Sequence, residues 1–238
     1  MKRWPLLLLF LGACSESPSG PNPDGGGLPV DGAVADAGTA GLELRLSPAT
    51  AELVTDGITA AQVSFQAEAV YPDGRTEDVT ATANWTVEPA ELGTVSAGVF
   101  SSGLVGVQGV LRASCSGASA TATIEVKVRR EVLEPGLPPN IGEVIGGAPA
   151  DPQRNPQLVY PYDQVLFPTN LGSLEVHFLP GQGNDVFALN FESPQASLTV
   201  YTRCTSLKGG CVYTLEDDLW TSKASTTAGL APITLTLH

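Results

Sequence analysis

Histidine is nearly missing from this chain, with only His177 and His238 in 238 residues. That count rules out a zinc site built on imidazoles and almost rules out a Ser-His-Asp triad; no Gly-x-Ser-x-Gly elbow is present either. Charge is scarce too, at 16% where about a quarter is usual. What charge there is leans acidic: 12 Lys and Arg against 25 Asp and Glu give a formal net charge of −13. Such a surface repels phosphate backbones, so nucleic acid is not an expected partner. Long apolar runs are lacking as well. The run from Trp4 through Leu11 falls well short of the roughly 20 residues that a spanning helix needs.

Glycine (26) and proline (19) are abundant, and Thr, Ser, Val and Ala recur in short alternating runs. The profile predicts an all-β chain with many turns. Its length suits either one large domain or two of ordinary size.

The first residues have the layout of an export signal: Lys2 and Arg3, an apolar middle, then small residues. The stretch Leu11-Gly12-Ala13-Cys14 resembles the lipobox of bacterial lipoproteins. The resemblance implies that residues 1–13 are removed and that Cys14 carries a diacylglyceryl group as the mature N-terminus. It thus implies a membrane partner reached through acyl chains on Cys14, two or more of which suffice for stable anchoring. Loss of Lys2 and Arg3 makes the mature chain more acidic still, which argues against further contact with anionic headgroups. Ser15, where an acidic retention residue is lacking, points by the same resemblance to the outer membrane or cell surface.

Residues 14–41 are rich in Pro, Gly, Ser, Ala and Asp and show no apolar period, so they are expected to form a disordered tether. Order is expected from Leu42. Leu42, Leu44 and Leu46 alternate with polar residues until Pro48, and Val63 to Ala69 reads as the next strand. Further strands are expected around Ala83 to Val87, Gly93 to Val95 and Val99-Phe100, then at Val107–Cys115 and Ala118–Val128. The ordered set Pro72-Asp73-Gly74-Arg75, Asp78-Val79-Thr80, Asn84-Trp85-Thr86, Gly93-Thr94-Val95, Gly98-Val99-Phe100 and Ala120 to Val126 resembles the bacterial immunoglobulin-like domain, group 2. That resemblance covers residues 42–130. It implies a β-sandwich found in surface proteins and adhesins as a spacer or binding module, with no catalytic residues to carry over.

Residues 131–157 are again Pro and Gly rich and read as a linker. Beyond them, residues 158–238 predict a second β-sandwich, with strands at Val165–Phe167, Leu174–Phe178, Val186–Phe191, Leu198–Thr202, Val212–Leu215 and Ile233–Leu237. A short helix is expected within Glu216–Ala228, with Leu219 and Trp220 turned inward. The segment resembles, more loosely, a fibronectin-type sandwich of surface lipoproteins. The strand pattern runs up to His238, which suggests that a closing strand and further domains, an enzyme or a propeller among them, lie beyond it.

Four cysteines are present. Beyond Cys14, the pair Cys204 and Cys211 brackets a hairpin-like loop and predicts a disulfide in an oxidising compartment. Cys115 alternates with Leu111 and Ala113 and reads as a buried, inert thiol. Two oxygen-rich stretches, Gly181-Gln182-Gly183-Asn184-Asp185 and Glu216-Asp217-Asp218, are weighed as Ca²⁺ sites, but turn and helix-capping roles suit them better. No metal and no cofactor are therefore expected. His177 is expected to be an exposed or hydrogen-bonded strand residue, and Trp85 and Trp220 core residues. Asn84-Trp85-Thr86 fits the glycosylation pattern but falls in mid-strand. Together these readings predict a lipid-anchored envelope protein that is not an enzyme and acts as a binding, adhesion or spacer module. Its expected partners are the membrane and surface polysaccharide or protein. A hydrolase using paired carboxylates is a weaker reading that no spacing supports.

Overall fold

Alternation of apolar and polar residues governs the local structure, and in the computed structural model, which describes residues 41–149, 151–168, 170–216, 219–220 and 231–238, it produces an all-β chain. The signal segment, Cys14 and the tether up to residue 40 lie outside the described residues.

Ten strands make up the N-terminal half: β1 (Glu43–Ser47), β2 (Thr50–Thr55), β3 (Gln62–Ser64), β4 (Gln66–Val70), β5 (Thr76–Asp78), β6 (Asn84–Glu88), β7 (Gly93–Ser96), β8 (Val99–Ser102), β9 (Val107–Cys115) and β10 (Ala118–Leu133). They form two layers. In one, β2, β10, β9 and β6 pair; in the other lie the small sheets β1-β4-β5 and β3-β8-β7. Two crossings between sheets were not legible as such. The run expected to end at Pro48 continues as β2, so the first strand pairs with β4 before the proline and, after it, parallel to β10. The run expected as one strand from Val63 to Ala69 breaks at buried Phe65, whose N–H donates to the Gly98 carbonyl at 2.7 Å. Gly98 is required there: its φ is +80°, and a Cβ would lie 2.4 Å from the Phe65 carbonyl oxygen.

The short motifs pin these layers together. Asp73 accepts the Arg75 N–H in the turn after Tyr71, and Gly74 supplies the left-handed residue. Asp78 accepts the Thr80 N–H at 2.9 Å, the Thr80 hydroxyl accepts the Ala67 N–H, and the Thr80 carbonyl accepts the Trp85 indole N–H. Trp85 thereby packs between the cluster of Leu53, Phe65, Leu92, Phe100, Leu111 and Ile124 and the smaller-residue cluster of Leu44, Ala67, Ala69 and Val79.

The C-terminal half holds a short helix α1 (Ile141–Gly146) and strands β11 (Gln157–Tyr160), β12 (Leu174–Leu179), β13 (Val186–Glu192), β14 (Ala196–Arg203), β15 (Thr205–Leu207), β16 (Gly210–Leu215) and β17 (Thr234–Leu237). One layer is β11-β12-β16-β15; the other runs β17-β13-β14 and ends on the tail of β10. Between them lies an aromatic core of Phe178, Phe187, Phe191 and Trp220, with Leu189, Val200 and Leu215. Leu219 and Trp220 are buried as expected, while the rest of the expected helix is outside the described residues apart from Glu216, whose carbonyl accepts the N–H groups of both. Val165–Phe167 is not a strand. Leu166 is 93% exposed, so the three apolar residues have no alternating buried face to pair.

Strand β10 corrects the expected linker. It is 16 residues long, and Val128–Leu133 pair parallel with Ala196–Tyr201, so residues 131–133 are strand rather than linker, and residues 141–146 are helical. Val132 sustained the alternation that the Pro and Gly content downstream masked. Inward residues Ala122, Ile124 and Val126 serve the first core, and Val132 packs against the second. Hydrogen-bond parity assigns the edges: Thr123 donates its N–H to Ala49 beside β2, and Val128 donates to Gln195 beside β14. Because successive residues point to opposite edges, β2 and β14 lie on different edges of β10. After Glu134, a latch closes the turn. Its carboxylate accepts the Arg203 N–H and the Thr202 hydroxyl, and the Arg203 guanidinium donates to the Pro135 and Gly136 carbonyls.

Candidate functional site

The residues that could carry chemistry are spread over the surface, and most turn out to serve the fold. Cys204 and Cys211 form the expected disulfide, with Cα atoms 5.0 Å apart. It clasps the β15–β16 hairpin where Ser206 faces Cys211 and Leu207 faces Gly210. Cys115 departs from expectation. It is buried, but it is disulfide-bonded rather than a lone thiol, and its partner lies outside the described residues. Alternation with Leu111 and Ala113 reads burial correctly and carries no information on pairing.

The Gly181 to Asp185 loop binds a guanidinium. Asn184 Oδ1 accepts Arg154 Nε at 3.1 Å, its Nδ2 donates to the carbonyls of Pro180 and Arg154, and the Gly183 carbonyl accepts the guanidinium. A Cβ on Gly181 would stand 2.5 Å from the Arg154 carbonyl oxygen. The Asn184 side-chain oxygen and the Gly183 carbonyl are thus committed to a positive side chain, and the loop is a clasp onto residues 153–155. Asp185 is exposed at its end. Asp217 and Asp218 lie outside the described residues, so their part in an acidic cluster is not placed. Among the described residues, no three His, Cys, Asp or Glu side chains gather as metal ligands. No helix of the described residues is long and apolar enough to cross a membrane.

His177 is a half-buried strand residue whose Nε2 lies 2.8 Å from Glu175 Oε2. Asn84 and Thr86 are exposed on β6, the border of its layer. His238 bonds through its backbone to Ala188.

One constellation went unread in the sequence. From buried Trp220, edge-to-face ring contacts run to Phe167 at 5.7 Å, from Phe167 to Tyr160 at 6.2 Å, and from Tyr160 to Tyr162 at 5.9 Å and His177 at 5.6 Å. Aromatic pairs favour such geometry. The ladder props up a turn in which Gln164, not a glycine, has a φ of +59°, and Tyr162 and Leu166 stand out into solvent. The Tyr160-Pro161-Tyr162 triplet was its only sequence signal. The rings stand nearly perpendicular, so this is no coplanar sugar-stacking platform.

Ionised groups with clear shifts cluster in the N-terminal half. Arg75 holds the Asp73 carboxylate below its usual range. The side chain and backbone of Thr80, together with Gln66, do the same for Asp78, and the N–H groups of Thr59 and Ile58, with a lesser pull from Arg130, for Asp56. The Tyr71 phenol, donating to Glu77, is pushed up. These pairings tie turns to strands.

No protein-family model and no curated protein matches this chain.

Proposed function

We propose that this chain is a lipid-anchored cell-envelope protein: two β-sandwich domains, the first like the bacterial immunoglobulin-like group 2 domain and the second fibronectin-like, acting as a non-catalytic binding, adhesion or spacer module. The observation that carries the reading is β10. A single strand lends its inward side chains to both cores, and the two halves follow each other without a flexible residue between Val128 and Leu133. A spacer works by keeping its far end at a fixed distance, and a shared strand resists bending where a Gly-rich linker would not. The tether composition and the lipobox-like Leu11 to Cys14 supply the anchor. The exposed turn on the aromatic ladder, with Tyr162 and Leu166 in solvent, is the face offered to a surface protein.

The anchor is tested by fractionating the producing cells and taking the mature N-terminus to mass spectrometry. A diacylglyceryl thioether on Cys14 in the outer-membrane fraction is expected; since Cys204 and Cys211 pair with each other, this thioether competes with the disulfide of Cys115. An unlipidated Cys14, whether as thiol or disulfide, overturns the anchoring. The stiffness is tested by small-angle scattering, which should return one elongated particle with a narrow length distribution; a broad length distribution overturns the spacer.

A further inference from the structure

We propose that this molecule bears tension along β10, which takes a pull in shear from β2 and passes it, again in shear, to β14. Two parallel ladders share that strand. Thr50–Thr55 of β2 pair with Thr123–Val128, and Ala196–Tyr201 of β14 pair with Val128–Leu133. The ladders lie on opposite edges and meet at Val128, so together they hold β10 from residue 123 to its last residue.

Chain direction decides how the ladders are pulled. The chain reaches β2 through β1, and Leu42 and Leu44 pack with Cys115 and Ala118, at the end of β10 remote from the second half. A pull on the chain ahead of β1 therefore draws β2 backward along its own axis, while the second half draws β10 forward. With parallel strands the two forces act at opposite ends of the ladder, and all its bonds are loaded together. A strand pulled away from its partner at one shared end instead gives up its bonds singly.

The first ladder is also locked against sliding. Thr123 donates its N–H to the Ala49 carbonyl at 3.0 Å, so by the alternation of a parallel ladder Ala51, Leu53 and Thr55 turn their backbone groups to β10. Leu53 and Thr55 are buried, Leu53 in one cluster with Ile124 and Val126. Slipping β2 by one residue would carry them to the solvent face, so packing and hydrogen bonds resist the same motion. On that outer face Lys127 Nζ bridges to Glu52 Oε2 at 2.8 Å. The second ladder is fastened beyond Leu133, where the Glu134 N–H donates to the Tyr201 carbonyl at 2.9 Å and its carboxylate accepts the Arg203 N–H.

The source of the tension rests on the lipid-anchored reading of the chain, whereas the resistance belongs to the strands themselves. Forced unfolding follows the barrier to unfolding rather than equilibrium stability, so the direction of pulling is the test. In the full chain, an azide-bearing residue replaces Ala40 together with either Ser206 or Ser119, both exposed, and each molecule is stretched between its two handles at one loading rate. Ser206 lies just past β14 and Ser119 near the head of β10. Denaturant midpoints of the two chains should agree, leaving direction as the only difference. The first rupture through 40 and 206 is expected at several-fold the force needed through 40 and 119, where β1 and β2 are peeled away. Equal forces in the two directions, or a first extension through 40 and 206 at the lower force, would overturn the proposal. An unlipidated Cys14 would remove the anchor and leave this result standing.

Discussion

The two halves of the molecule reach stability by different means. The N-terminal half buries few aromatic side chains: Phe65 and Phe100 sit among Leu53, Leu92, Leu111 and Ile124, and its apolar residues divide into two clusters on either side of Trp85. It relies on close backbone fits at Gly93 and Gly98 and on the bonds around Asp78 and Thr80. The C-terminal half gathers Phe178, Phe187, Phe191 and Trp220 into one core and clasps its outer hairpin with a disulfide. Backbone complementarity tolerates little change in local geometry, whereas aromatic mass tolerates little loss of volume. The same strand, β10, has to satisfy both.

The contrast is tested most severely by Phe187→Ala. Phe187 is fully buried, with its ring 4.8 Å from that of Phe178, and such truncations cost about 3–5 kcal/mol. Hydrogen exchange followed by mass spectrometry should show β12, β13 and β16 losing protection while β6 and β9 retain theirs. If both halves lose it together, β10 couples them into one cooperative unit and the contrast fails. Next in size, replacing both Cys204 and Cys211 with Ser should lower the C-terminal denaturation free energy by about 2.5 kcal/mol through the freed hairpin loop. A midpoint that does not move would mean that the aromatic core alone sets stability there.

Gly93→Ala probes the other half. Gly93 has a φ of +143°, and a Cβ there would stand 2.1 Å from the Ser101 carbonyl oxygen. The backbone must shift, at a cost of about 1–3 kcal/mol, and exchange should rise in β7 and β8 with the C-terminal core unaffected. An unchanged β8 would show that this half is less dependent on backbone fit than the geometry implies.

Sequence reading succeeded where one rule operated at a time. Period-two alternation marked β9, most of β10, and β12, β13, β14 and β16, because each has one buried face. It missed β2, where the buried positions are Leu53 and Thr55 and the threonine, its hydroxyl bonded to the Thr59 carbonyl, reads as solvent-facing. It also fused β3 with β4, since a strand that changes sheets keeps its alternation while changing its partner. Composition misled at residues 131–133, where neighbouring prolines and glycines hid a strand, and at Val165–Phe167, where three apolar residues lie in a turn. The ring ladder was illegible because Tyr160, Phe167, His177 and Trp220 are distant in the sequence and meet only through tertiary packing. The Cys204–Cys211 pair was legible because its loop is short.

The smallest expected effect is on acid stability, and it should fall on one side of the comparison. Among the described residues, Glu43, Asp56, Asp73 and Asp78, the carboxylates held below their usual range, all lie in the N-terminal half. A folded-state pKa lower than the unfolded one means that fewer protons are bound when folded, so stability is in full force above the unfolded value, about 3.9 for Asp, and is lost as pH falls through the folded values. These groups face solvent, which screens their interactions and keeps each contribution small. Going from about pH 6 to about pH 3 should therefore lower the N-terminal unfolding midpoint more than the C-terminal one. Asp78→Asn, which keeps an oxygen acceptor for the Thr80 N–H but cannot ionise, should flatten that dependence. A C-terminal midpoint that falls as steeply with acid would show that the turn carboxylates do not distinguish the halves.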